Sequence, residues 1–100
     1  MLEIDESTIF KLNSNYSLSA LGSEKSKHWL FELNEGNIYR LNEVSFYMLS
    51  LLDGRNTFAG IVKAVSNRYD GASKDEIIQD SNKFFIQCLE NGIIYKMEVD

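Results

Sequence analysis

Apolar positions recur with a period of two before residue 42 and with a period near 3.6 after it, so the chain reads as a sheet followed by helices. Tyr16, Leu18 and Ala20 alternate with Ser17 and Ser19, a strand over Tyr16–Leu21 with one wetter face. The polar loop Gly22–Lys27 leads to a second strand, His28–Leu33. Its faces carry Trp29, Phe31 and Leu33 on one side and His28, Leu30 and Glu32 on the other. Asn34-Glu35-Gly36-Asn37 is the strongest turn signal, because Gly36 is free to take positive φ, and a third strand follows at Asn37–Leu41. Two successive hairpins predict a three-stranded antiparallel meander. Its third strand is short and last, and one edge stays open unless a later segment covers it.

Three amphipathic helices follow. Asn42 is the N-cap of the first, whose stripe is Val44, Tyr47, Met48, Leu51 and Leu52, and Asp53-Gly54 stops it. Thr57 caps the second, with Phe58, Ile61, Val62, Val65 and Tyr69 in line and Asp70-Gly71 at its end. Ser73 with Glu76 three residues on is a capping box that opens the longest helix. Its stripe is Ile77, Ile78, Ser81, Phe84, Phe85, Cys88 and Leu89; Asn91-Gly92 ends it, and Ile93-Ile94-Tyr95 reads as a short final strand. Toward the N-terminus, Ile9, Phe10 and Leu12 pack onto the domain, Asn13-Ser14-Asn15 is a turn, and residues 1–7 are loosely attached. The expectation is one α+β domain over residues 1–100, a three-stranded antiparallel sheet packed on three helices.

Charge and composition narrow the function. The net charge is −5 from 15 acidic and 10 basic side chains, and no segment is basic. Nucleic-acid binding starts from a positive patch that releases counterions, so neither DNA nor RNA is an expected partner. No run approaches the ~20 apolar residues that span a bilayer, and Met1–Glu6 lacks the basic and apolar regions of a signal peptide. A lone cysteine excludes an internal disulfide and suits the reducing cytoplasm.

Catalytic constellations are missing. His28 and Cys88 are single and far apart, short of the three or four ligands of a metal site and of a nucleophile pair with its orienting group. Asp75 and Glu76 sit where carboxylates complement a helix dipole; Asp80, a turn further in beside the stripe, is read first as structural, with a ligand-bonding place in a cleft as the alternative. The glycines match no phosphate-binding loop. Trp29, Phe31, Tyr39, Tyr47, Phe58 and Phe84 are read as core, with Tyr39 and Phe84 at the rim of a groove. Catalytic residues, metal and cofactor are all expected to be none.

The stretches FELNEGNIYRLNEV (Phe31–Val44), LLDGRNTFAGIV (Leu51–Val62) and RYDGASKDEIIQDSNKFFIQCLENGII (Arg68–Ile94) closely resemble the PqqD-like family, the peptide-recognition domains of pathways that make ribosomally synthesised, post-translationally modified peptides. The resemblance covers roughly residues 8–95, and the order and spacing of its motifs carry it. It implies a three-stranded sheet on three helices, related to winged-helix folds. It also implies that a precursor's leader adds as a fourth strand, antiparallel to the third, in the cleft against the third helix. The expected site is therefore Asn37, Ile38, Tyr39, Arg40 and Leu41 on the strand, with Asp80, Lys83, Phe84 and Gln87 on the helix. Ser81 stands where family members usually carry an aliphatic residue. The implied enzyme partner is a radical-SAM maturase or the leader protease of a lasso-peptide pathway, and the implied state is a monomer or weak homodimer. Two other readings are a subunit-assembly domain that binds only its enzyme and a winged-helix DNA-binding domain. The second needs a basic recognition helix, whereas the third helix has Asp75, Glu76, Asp80 and Glu90 against Lys74 and Lys83.

Overall fold

The computed structural model describes residues 4–20, 28–69, 71 and 73–97. A first strand, β1 (Ile9–Leu12), precedes the meander of β2 (Tyr16–Ala20), β3 (His28–Glu32) and β4 (Ile38–Leu41). Then come α1 (Glu43–Ser50), β5 (Asp53–Thr57), α2 (Phe58–Arg68), α3 (Lys74–Glu90) and β6 (Ile94–Lys96). Strands β2, β3 and β4 form the antiparallel meander in that order, with β3 central. The three predicted N-caps are in place. Asn42 Oδ1 accepts from Ser45 N at 2.7 Å, Thr57 Oγ1 from Gly60 N at 3.1 Å, and Ser73 Oγ from Glu76 N at 3.2 Å. The Ser73 hydroxyl also meets Glu76 Oε1 at 3.1 Å.

The single-sheet expectation is incomplete, because a second antiparallel sheet runs β5-β1-β6. Phe10, Lys11 and Leu12 of β1 pair with Lys96, Tyr95 and Ile94 of β6. On its other side β1 pairs with β5 through Ile9↔Thr57 and Lys11↔Asp53, with an irregularity between them. Asp53-Gly54 is thus not simply a helix stop. Helix α1 already ends at Ser50, with Leu51 as C-cap, and Asp53 opens a strand. That strand, Asp-Gly-Arg-Asn-Thr, has no alternating pattern, and the Asp53 carboxylate accepts from Arg55 N and Asn56 N within it. Its partner makes it a strand, not its propensity. Residues Leu21–Lys27, the end of the first predicted strand and the loop after it, and Asp70 lie outside the described residues. Of residues 1–7, expected to be loose, Ile4 N donates to Asn82 Oδ1 at 2.8 Å, and Ala59 N donates to the Glu6 carbonyl at 3.0 Å.

Both sheets and all three helices contribute to one core. Phe85 is its centre, fully buried, with Phe10 stacked at 5.4 Å, Phe58 edge-on at 5.6 Å and Phe84 tilted at 5.7 Å. Leu30 of β3 and Ile94 of β6 close it from the two sheets. The buried face of β3 therefore carries Leu30 and Glu32, and Trp29 and Phe31 lie half-buried on the opposite face. This corrects the assignment of both aromatics, and of Tyr39, to the core: Tyr39 is 44% exposed. Ser81 is buried on the core line of α3 and turns away from solvent.

Candidate functional site

Strand β4 is an outer strand, and among the described residues its far edge pairs with no other strand. Its hydrogen-bonding parity follows from β3. The Glu32 N–H donates to the Asn37 carbonyl at 2.8 Å, whereas Leu33 N–H points the other way, to the Asn15 carbonyl. Successive backbone groups alternate in direction along a strand, so Tyr39 and Leu41, opposite Leu30 and His28, turn their backbone groups toward β3. Ile38 and Arg40 turn theirs outward. The N–H and C=O of these two residues thus face the side of β4 away from β3, where no other described strand lies.

Side chains alternate across the two faces. Ile38, 57% exposed, and Arg40 lie on the outer face, where the guanidinium rests over the Trp29 ring at 5.9 Å. Tyr39 and Leu41 lie on the inner face, on the same side as Leu30. Beneath Tyr39 is Tyr16, whose phenol is pushed above its ordinary pKa by burial, then by Tyr39, Glu32, Glu35 and Cys88 nearby.

Helix α3 turns different flanks to its neighbours. At 3.6 residues per turn, Phe85 and Cys88 lie on either side of the buried Ser81. Phe58 of α2 meets Phe85. Phe84, on the Cys88 side, is half-buried and packs against the core beside Phe85. Asp80, Lys83 and Gln87 line an open groove that α3 forms with α2 and Ile4, together with Val62, Lys63 and Ile86. No described β4 residue lines that groove. The structure thus keeps Ile38–Leu41 together on one edge and Asp80, Lys83 and Gln87 together on one helix surface, and does not join the two sets in one pocket.

Sequence reasoning missed the residue that anchors this edge. Glu32 is buried, and its carboxylate accepts from Asn15 Nδ2 at 2.6 Å, Glu35 N at 2.9 Å and Asn34 N at 3.0 Å. Burial pushes its pKa up, but the hydrogen bonds from Asn15, Glu35 and Asn34 outweigh it and hold the carboxyl below the usual range. The available signal was the density of asparagines in two turns, Asn13/Asn15 and Asn34/Asn37, which a buried acceptor would satisfy. Reactive chemistry is lacking at Cys88, whose thiol burial pushes up to about 12. Among the described residues no group of three or more His, Cys, Asp or Glu is placed to hold a metal, and no helix is long and apolar enough to cross a membrane.

The family model for coenzyme PQQ synthesis protein D (PqqD) matches residues 27–94, from the start of the β3 region through α3 into β6. The chain belongs to the PqqD family. Among curated proteins, no sequence matches it. Among solved structures, TbiB1 in complex with the TbiA(beta) leader peptide has a similar fold, with a TM-score of 0.71 and 18% sequence identity. The match covers 90% of this chain and 99% of that one, so the likeness takes in both sheets and the helical layer. PqqD membership and the open β4 edge fall in the same segment of the chain.

Proposed function

We propose that this PqqD-family protein captures the leader of a ribosomally synthesised precursor peptide as an added strand on β4 and delivers it to a maturation enzyme. The observation that carries this reading is the outer position of β4, whose far edge pairs with no other strand among the described residues and toward which Ile38 turns its backbone. TbiB1, whose fold the chain shares, was solved with a leader peptide bound, which supports the same kind of ligand here. The added strand would lie antiparallel to β4, with Asn37–Leu41 beside it and the Phe84 flank of α3 facing it. Asp80, Lys83 and Gln87 would meet the parts of the leader that run on past the strand.

Energetics are consistent with a transient carrier. Ordering a flexible leader costs about 2–5 kcal/mol. Edge hydrogen bonds, at roughly 1 kcal/mol net each, offset that, and apolar side chains over Tyr39 and Ile38 supply the surplus. Micromolar to sub-micromolar affinity follows. Holding the leader raises the effective concentration of the core peptide at the enzyme without any bond being made or broken by the carrier. The reading therefore assigns no catalytic residue and no cofactor. It places the protein in the cytoplasm, as a monomer or weak homodimer, beside a radical-SAM maturase or a lasso-peptide leader protease.

The test is titration of a labelled leader, taken from the precursor gene beside this one, into wild type, Ile38→Ala and Ile38→Pro. Alanine keeps the edge N–H; proline removes it and sets a ring against the incoming strand. We expect saturable binding that alanine weakens by less than tenfold and proline abolishes. Binding that survives proline would reject strand addition. No binding to folded wild type would leave the assembly-domain reading in its place.

A further inference from the structure

We propose that Glu32 is a positioning residue for peptide capture: its carboxylate ties two turns together and so holds β4 at the spacing from α3 that an added strand requires. This rests on the reading of β4 as the docking strand.

The hydrogen bonds form one path across the molecule. At the end of α3, the Gly92 carbonyl accepts from Asn13 Nδ2 at 3.0 Å and the Ile93 carbonyl from Asn13 N at 2.8 Å. Asn13 Oδ1 in turn accepts from Asn15 N at 3.1 Å. Asn15 reaches forward twice, through Nδ2 to Glu32 and through Oδ1, which accepts from Asn34 N at 3.1 Å. Glu32 then holds the β3–β4 turn by the Asn34 and Glu35 N–H groups, with Asn37 Nδ2 at a longer 3.5 Å. Its own backbone closes the same turn, the N–H on the Asn37 carbonyl and the carbonyl taking the Gly36 N–H at 2.9 Å.

A carboxylate that merely capped a turn would need only the Asn34 and Glu35 contacts. The shortest bond goes instead to Asn15, in the turn that is itself fastened to the end of α3. Glu32 is thus the link between the helix and the strand on which the proposed ligand depends. A buried acceptor with several fixed donors orients its partners tightly, because any displacement leaves one of them unpaired. The titratable groups facing it are Tyr16, its cross-strand partner on β2, Tyr39 on β4 and Glu35 in the turn. Burial holds the Tyr16 phenol above its ordinary range, so the group whose charge changes on acidification at this site is the Glu32 carboxylate, held below its usual range by its donors.

Glu32→Gln tests this. It keeps the shape but puts an amide N–H₂ among donors. Two readouts are taken: leader affinity between pH 7 and pH 3, and amide hydrogen exchange of Tyr39 and Leu41 at pH 7. We expect the variant to bind leader at least tenfold more weakly at pH 7 and to show at least tenfold faster exchange at Tyr39 and Leu41. Exchange at Ile61 and Phe85 should stay unchanged. Wild-type affinity should also fall more steeply on acidification than that of the variant, since the leader's own carboxyls act equally on both. Affinity within twofold of wild type, whatever the exchange, overturns the proposal. If wild type binds no leader, the reading of β4 falls and the proposal with it. A variant that binds as well as a binding wild type removes Glu32 alone. Should Glu32→Gln fail to fold, Asn15→Ala carries the same test, since it removes the link between the turns without altering a buried charge.

Discussion

Cys88 and Glu32 show how burial acts on two polar groups with opposite results. The Cys88 thiol is buried among apolar neighbours with nothing to favour its charged form, and its pKa rises to about 12. Glu32 is also buried, but its amide donors reverse the effect. The thiolate is the reactive form of cysteine, so Cys88 should resist thiol reagents at pH 8 in the folded protein. In denaturant it should react at the rate of a free thiol. A colorimetric thiol assay with and without denaturant checks this, and rapid labelling of the native protein would show that α3 opens readily.

At the level of elements, the helices begin where local chemistry dictates and the strands exist where partners allow. Ser73 and Glu76 satisfy the first turn of α3 from within four residues. That helix has 17 residues and supplies the centre of the core. Replacing Ser73 by alanine should therefore cost about 1 kcal/mol, a fall in Tm of roughly 4–8 °C for a domain of this size. Thermal melts of Ser73→Ala against Ser73→Asp measure it, with aspartate, itself a good cap, close to wild type. The second sheet obeys a different rule. Strand β1 is held between β5 and β6, and Ile9 meets Thr57 far along the chain. Ser73→Ala should thus lower stability without disturbing that pairing.

Over the whole molecule the charge is −5, and several carboxylates are held below their ordinary pKa by hydrogen bonds. For Asp5 the donors are the Ser7 N–H and hydroxyl; for Asp53 they are the N–H groups of Arg55 and Asn56. In each case the folded-state pKa lies below the unfolded one. The stabilisation is therefore fully present above the unfolded carboxyl range, near pH 4, and is lost as pH falls through the folded values. Urea midpoints should be flat between pH 7 and pH 5 and drop steadily below pH 4. Glu32→Gln should remove part of that drop. A midpoint that rises on acidification would show that repulsion within the acidic chain outweighs these bonds.

The meander, the three helices and their caps were legible because each is specified within a few residues. Alternation marks β2, β3 and β4, and the caps bond only three positions ahead, as Asn42 does to Ser45. PqqD-like motifs in the same stretches are what put the proposed docking strand at β4. Long-range pairing left no such trace. β5 is a polar segment with an internal Asp53 turn, and it becomes a strand only because β1 lies beside it. The burial of Glu32 in place of Trp29 and Phe31 was decided by which face of β3 the helices cover, a matter that an alternating pattern with apolar residues on both faces leaves open. Asp80, Lys83 and Gln87 follow one helical spacing, but their distance from β4 is set by how α3 packs against α2 and the first strand. Local sequence therefore determined which segments are helix and meander. Tertiary contacts decided the second sheet and the buried carboxylate, because each of these depends on residues brought together only when the core closes.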